Sequence, residues 1–355
     1  MSSKSSFSPD GALFLLITLA IDKHRLRLYN TSSARLVAEH TFESSRVSAL
    51  TWGSITEVLG KKRKKRKIDT DTPQSADTID VVVLGLQDGT IVFFSLTSSR
   101  IVRTLTHPSS SSSVIALALK TLDTPILWTS SSDGIVRLWD VQKHEILSSW
   151  HDENHIPYTS LSLRPASETD ILVGHHHIRL FSDTTLHDPK STPLQLGSFT
   201  GHASSTMILR WAHSPAASHR FFSVAVSDRF VYVWDIVKDS SVPEKPVASV
   251  ALDSDVRTIG LSSSDLSRQT LVTLSVSGKL SFIPIPESLA PPPNTRETKN
   301  KMFSLSSRSS VASSSNTPLD PVVIDIICVP GDSHSVRVAR LIRGVKPIFE
   351  DVVCS

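Results

Sequence analysis

Residues 129–141, T-S-S-S-D-G-I-V-R-L-W-D-V, constrain the fold more than any other stretch of the chain. Ser130, Ser131 and Ser132 close one strand. Asp133-Gly134 is a tight turn: Gly takes φ > 0 without steric cost, and Asp can bond its own backbone two residues on. Ile135, Val136, Leu138 and Trp139 form a second strand ending in Trp139-Asp140. The phrase returns at 227–236, S-D-R-F-V-Y-V-W-D-I, and looser copies occur elsewhere. Such self-similarity marks a supersecondary unit that buries its faces only against copies of itself. A four-stranded unit ending in Trp-Asp points to an all-β chain folded as a β-propeller.

The composition agrees. A hydrophobic fraction of 39% in 355 residues supports a sizeable core, and long amphipathic helical patterns are hard to find. Two cysteines, Cys328 and Cys354, supply neither a disulfide framework nor a cysteine zinc site, which fits a reducing compartment. The formal charge is +3, yet the run Lys61, Lys62, Arg63, Lys64, Lys65, Arg66, Lys67 alone carries +7, leaving −4 for the rest. A slightly acidic body argues against a broad nucleic-acid-binding face. The apolar run 12–21 follows Asp10 and lacks a small-x-small cleavage site, so it reads as a buried strand and not a signal-peptide core. No apolar run approaches the ~20 residues needed to span a bilayer, and no membrane partner is expected.

Taken in order, the chain reads as one propeller over 1–355, with seven blades and the last one degenerate. Blade one follows the turn Ser8-Pro9-Asp10-Gly11 with strands at 13–19, 24–29 and 35–39. Blade two opens at 47–52 and is interrupted over 53–78 by the basic run and a polar stretch. Such a segment buries too little apolar surface to offset its ordering entropy and reads as a disordered insertion. The blade resumes at 81–86, turns at Asp88-Gly89, and ends at 100–105. Blade three carries the opening motif. Blades four, five and six follow at 159–199, 207–250 and 256–285, with 302–305 as a candidate outer strand of blade six. Pro291-Pro292-Pro293 and the serine-rich 304–315 make 287–319 a flexible excursion. Blade seven takes 322–329, 336–341 and 347–353. In most such rings the N-terminus supplies the last blade's outer strand; here 1–7 is short, and closure stays open.

The two Trp-Asp phrases resemble the WD-repeat superfamily. In its blades a His before the inner strand, a turn Asp, a strand Ser or Thr and the Trp form a hydrogen-bonded tetrad, which pairs buried polar groups. His107, Asp133 and Trp139 fit these places, and so do His202, Asp228 and Trp234, every member offset by 95 positions. Tyr29, Phe94 and Phe181 stand where other blades would carry the Trp.

A narrower resemblance rests on arrangement. The chain has S-P-D-G at 8–11, L-R-L-Y at 26–29, a Lys/Arg-rich insertion after L-T-W at 50–52, F-T-G-H-A at 199–203 and V-Y-V-W-D-I at 231–236. This order is similar to the WD-repeat subunit family of the UTP-A (t-UTP) subcomplex of the nucleolar small-subunit processome, the WD-repeat protein forty-three family. The resemblance implies a scaffold for protein subunits of a nucleolar assembly complex, acting in pre-18S rRNA processing and rRNA transcription. That family continues into a helical C-terminal domain used for assembly, whereas this sequence stops at Ser355, so functions of that domain are not carried over.

Against each suggestive feature stands a plainer one. Residues 61–67 read as a nuclear and nucleolar targeting signal, with contact to pre-rRNA phosphates as a second use; the plain alternative is a solvated loop. His175-His176-His177 invites a metal reading, but adjacent strand residues point to opposite faces and do not converge on one ion, so a turn is expected. Ser, His and Asp are plentiful, yet G-x-S-x-G, P-loop and G-x-G-x-x-G motifs are absent. No catalysis, cofactor, metal or small-molecule substrate is expected. The competing reading is a generic WD-repeat adaptor such as a ubiquitin-ligase substrate receptor. Those receptors carry Arg two positions after the Trp-Asp pair, where this chain has Gln142 and Val237.

Overall fold

The computed structural model describes residues 4–57, 77–108, 112–182, 192–211, 220–236, 245–284 and 322–353, apart from short breaks inside these spans such as 226–228 and 262–269. Every regular element among them is a strand. The strands form seven antiparallel sheets, the blades of a seven-bladed β-propeller, and hydrogen-bonded neighbours follow one another in the chain. Blade one is β1 (Lys4–Phe7), β2 (Leu13–Ala20), β3 (Lys23–Asn30) and β4 (Leu36–Phe42). Blade two is β5 (Val47–Glu57), β6 (Asp77–Leu86), β7 (Thr90–Ser95) and β8 (Arg100–Thr106). Blade three is β9 (Val114–Lys120), β10 (Ile126–Ser131), β11 (Ile135–Asp140) and β12 (Glu145–His151). Blade four is β13 (Ser160–Leu163), β14 (Asp170–Gly174), β15 (Ile178–Ser182) and β16 (Leu194–Phe199). Blade five is β17 (Thr206–Trp211), β18 (Arg220–Ala225), β19 (Phe230–Asp235) and β20 (Ala248–Ala251). Blade six has β21 (Val256–Leu261), β22 (Thr270–Ser275) and β23 (Leu280–Pro284); blade seven has β24 (Val322–Cys328), β25 (Ser335–Ile342) and β26 (Lys346–Val353).

Burial explains why these segments are strands. The second and third strands of a blade are covered on both faces, so they read as near-continuous apolar runs, whereas a fourth strand faces solvent and alternates. In blade three, β10 is buried at every position and β11 at all but its first, while β12 is half exposed. The run 12–21 lies largely in β2, where Phe14, Leu15 and Leu16 are fully buried.

The chain divides into two compact units. In the unit Ser45–Pro157, Val81, Val83, Ile91 and Phe93 of blade two pack with Leu117, Leu127 and Trp139 of blade three. The inner strands are tied where Ser48 Oγ donates to the Val114 carbonyl at 2.6 Å. The interruption of blade two is shorter than the 53–78 expected. β5 runs on to Glu57 and β6 begins at Asp77, paired rung by rung from Gly53↔Val81 to Glu57↔Asp77. The extension holds because Ile55 is buried and Ile79 packs on the same core, although the polar residues around them hide that alternation. Residues 58–76, with the basic run, lie outside the described residues, as do 302–305 and the excursion 287–319.

The turns obey the Asp-Gly chemistry. Asp88 and Asp133 each accept the amide two residues on, from Thr90 at 2.9 Å and Ile135 at 3.0 Å. Gly134 has φ of 78°, and an added Cβ would meet the His155 carbonyl oxygen far inside van der Waals contact. The clashing atoms all belong to the His155 backbone and cannot swing aside, so Gly134→Ala is expected to lower stability by about 2–3 kcal/mol. Thermal melts of the variant against the wild type check this.

The unit Met1–Ser44 with Tyr158–Ser355 holds the other five blades. Phe199, Phe221 and Trp234 join blades four and five, and Phe222 and Val233 join blade five to Val256 and Leu271 of blade six. Blade seven packs on blade six through Val323 and Val336, and on blade one through Ile324 and Ala339. β1 is the inner strand of blade one, paired with β2 from Lys4↔Ile17 to Phe7↔Phe14. It therefore does not serve as the outer strand of blade seven, whose third strand, β26, is the outermost among the described residues.

Candidate functional site

The polar cluster of blade three is assembled by strand register. β10 and β11 pair so that Leu127 faces Trp139 and Thr129 faces Arg137. With a side-chain period of two, Thr129 and Ser131 share one face of β10, and Arg137 and Trp139 share one face of β11. His107, following β8, completes the group. Trp139 Nε1 donates to Thr129 Oγ1 at 3.0 Å. Ser131 Oγ donates to Asp133 Oδ1 at 2.8 Å and lies 3.1 Å from His107 Nε2. Arg137 reaches across them: Nη2 meets Asp133 Oδ2 at 2.8 Å, while Nη1 is 2.8 Å from His107 Nε2 and 3.0 Å from Ser131 Oγ. The Arg137 side chain is only 7% exposed and that of Asp133 19%, so this is a largely buried ion pair with its remaining donors largely satisfied.

Sequence reasoning missed Arg137 and expected one hydroxyl where two are used. Thr129 takes the Trp, and Ser131 takes the His and the Asp. The missed signal is the Arg inside I-V-R-L-W-D. A charge two positions before a core Trp, on the same strand face, must find a buried partner, and Asp133 is the acid four residues back.

This environment sets the protonation states. Burial pushes the His107 imidazole down to about 4, the Arg137 charge adds to that, and Asp133 opposes it. Burial alone would raise the Asp133 carboxyl, but hydrogen bonds from Arg137, Ser131 and the Ile135 amide, with the Arg137 charge, bring it down to about 2. His107 is therefore neutral and Asp133 ionised near pH 7. Both groups bind protons more weakly folded than unfolded, so their contribution is complete above the unfolded values and falls away with acid. For His107 the window runs from about pH 6.5 to about 4 and amounts to at most about 3 kcal/mol. Melting at stepped pH should show this loss, and His107→Gln should flatten the slope in that window.

Blade five carries the simpler version. His202 Nε2 lies 2.7 Å from Ser223 Oγ, which also accepts from Trp234 Nε1 at 2.9 Å. Here one hydroxyl serves both rings, and Tyr232 takes the register place of Arg137, with its ring 4.6 Å from His202 edge to face. Three residues separate β10 from β11 and four separate β18 from β19. Phe221 therefore faces Trp234 where Leu127 faces Trp139, and Ser223, not Ala225, meets the His. Asp228 lies outside the described residues.

His107, Ser131 and Asp133 include the residue types of a hydrolase triad, but their geometry is different. In a triad the His bridges the Ser and the Asp. Here Ser131 bridges His107 and Asp133, His107 Nδ1 has no hydrogen-bond partner among the described residues, and Ser131 is wholly buried. His175, His176 and His177 form the turn between β14 and β15, closed by the His175 amide donating to the His177 carbonyl at 3.1 Å. Among the described residues no three His, Cys, Asp or Glu side chains are grouped to hold a metal ion. Lys61, Lys62, Arg63, Lys64, Lys65, Arg66 and Lys67 lie outside the described residues, between the ends of β5 and β6.

No family model matches the chain. It is 23% identical over 282 residues to U3 small nucleolar RNA-associated protein 5 of Saccharomyces cerevisiae, covering 77% of this chain and 40% of that protein. It is 24% identical over 153 residues to the Denticleless protein homolog of Danio rerio, covering 40% of this chain and 23% of that protein. The chain thus spans less than half the length of these curated relatives. Among solved structures, a chain from the crystal structure of the mitotic checkpoint complex superposes with a TM-score of 0.59 at 12% identity, over 96% of this chain and 84% of that one. With its seven sheets and repeated Trp-Asp strands, the chain has the fold of a seven-bladed β-propeller of the WD-repeat kind.

Proposed function

We propose that this protein is a non-catalytic scaffold of ribosome biogenesis in the nucleus and nucleolus, holding protein subunits of the small-subunit processome. The observation that carries this reading is the likeness to a U3 small nucleolar RNA-associated protein over 77% of the chain. The basic run supports it. Seven contiguous cations in a connection outside the paired strands suit nuclear import, or neutralisation of pre-rRNA phosphates. In this reading His107, Asp133 and Trp139, with His202, Asp228 and Trp234, fasten their blades and touch no partner. Contacts belong to loops and outer surfaces. Affinity capture of the tagged chain tests the proposal: processome subunits and pre-rRNA are expected in the eluate, and a cullin adaptor without them would overturn it.

A second reading, a protein-interaction adaptor such as a ubiquitin-ligase substrate receptor, draws on the likeness to the Denticleless protein homolog. Gln142 and Val237, in place of the Arg that such receptors carry, weigh against it. Changing all of Lys61, Lys62, Arg63, Lys64, Lys65, Arg66 and Lys67 to Ala is expected to reduce the nuclear fraction of a tagged protein severalfold. Fluorescence imaging reads this directly, and an unchanged nucleolar signal would remove the targeting role from the run.

A further inference from the structure

Blades one and seven are the two ends of the described chain, and among the described residues no strand is shared between them. Side chains hold the seam between them. Ser5 Oγ of β1 donates to the Ile324 carbonyl of β24 at 3.3 Å, as Ser48 and Val114 do between blades two and three. Phe7, Phe14 and Phe349 form an aromatic cluster across the seam, with centroids 4.9–6.1 Å apart. One charged residue spans it as well. Arg337 of β25 forks onto Asp351 of β26, Nε to Oδ1 at 2.7 Å and Nη2 to Oδ2 at 2.9 Å. Its remaining nitrogen, Nη1, points into blade one, donating to the Gly11 carbonyl at 3.1 Å and lying 3.2 Å from Thr31 Oγ1.

The receiving side is prepared for it. Gly11 ends the turn Ser8-Pro9-Asp10-Gly11, a motif with no part in the blade-three cluster. Asp10 Oδ1 accepts from Ser8 Oγ at 2.5 Å and from the Ala12 amide at 3.0 Å, and the Gly11 amide donates to the Ser8 carbonyl at 2.9 Å. Thr31 is buried at the far side of the sheet connection and its hydroxyl lies 2.8 Å from the same Gly11 carbonyl. A carbonyl held this rigidly is a fixed acceptor, and the planar guanidinium is oriented by Asp351 before it meets that acceptor.

We infer that Arg337 is the latch of the propeller: oriented by Asp351, it clasps the Gly11–Thr31 corner of blade one in place of a shared strand. The seam it closes is then where the fold opens first. Hydrogen exchange of the full chain tests this, comparing the wild type with Arg337→Met, which keeps the apolar stem and removes every donor, and with Thr31→Val, which removes the hydroxyl alone. Arg337→Met is expected to speed amide exchange about tenfold or more in β1–β3 and in β24–β26 together, with β9–β12 unchanged. Thr31→Val should give the same paired pattern with a smaller increase. Acceleration confined to β25 and β26 would overturn the inference, because Arg337 would then serve only its own sheet through Asp351. Should Arg337→Met yield no folded protein, Thr31→Val decides: faster exchange in β24–β26, where Thr31 does not reside, supports the latch, and wild-type exchange there refutes it.

Discussion

Replacing Arg137 by Ala is expected to lower stability by about 3–5 kcal/mol, the cost of leaving one member of a buried ion pair without its partner. Asp133 would keep its Ser131 and Ile135 hydrogen bonds but lose both contacts to the guanidinium, and His107 Nε2 would lose a neighbour at 2.8 Å. The same change should be visible in the His107 titration. Arg137 holds that imidazole down, so its removal shifts His107 upward from about 4, as NMR of the ring carbons would show. A paired change separates charge from shape. Replacing Asp133 by Asn and Arg137 by Met together removes both charges while keeping volume, and should cost less than Arg137→Ala alone. A double variant as unstable as the single one would mean that the pair acts through packing.

Trp234→Ala should be comparably severe, about 4–5 kcal/mol, combining a large cavity with a lost hydrogen bond. The ring is wholly buried, packed parallel to Phe221 at 5.8 Å and edge-on to Phe199 at 5.2 Å. Its Nε1 also donates to Ser223 Oγ, the hydroxyl that meets His202, so truncation loosens the network behind the ring. Trp234→Phe retains most of the aromatic packing and loses the donor, and about 1–2 kcal/mol is expected for it. Chemical denaturation of the three proteins checks the ordering, which fails if Trp234→Phe is as damaging as Trp234→Ala.

The sequence shows the propeller because its repeat is written in residues with narrow physical roles. Asp133-Gly134 has one good conformation in a tight turn, and Trp139 and Trp234 need a core and a donor partner together. Three details were hidden for equally physical reasons. Arg137 stands where a half-exposed strand could carry a charge, and its spacing from Trp139 is a weak sign of the burial that the structure shows. The prolonged hairpin of blade two was invisible because Ile55 and Ile79 are single apolar residues among polar ones, so the alternation is too short to read. Likewise, nothing in K-S-S-F announces an inner strand. β1 is defined by its pairing with β2 and by Phe7 packing on Phe14 and Phe349, contacts that span almost the whole chain. The partner-binding surface was not legible at all, since outer strands and loops carry no pattern beyond solubility. Leu36, Val37, Leu194 and Ile348 are exposed on such outer strands without a repeat to mark them.

In the proposed reading the propeller is a frame whose polar clusters fasten blades, and its function lies in what it holds. That assigns the cell's loss, when the protein is removed, to ribosomal RNA and not to a chemical step. Pulse-labelling of ribosomal RNA after acute depletion tests this most directly. Unprocessed 18S precursors should accumulate and new 18S RNA should fall while 28S or 25S continues, and re-expression of the wild-type chain should restore it. Normal 18S production after complete depletion would contradict the account.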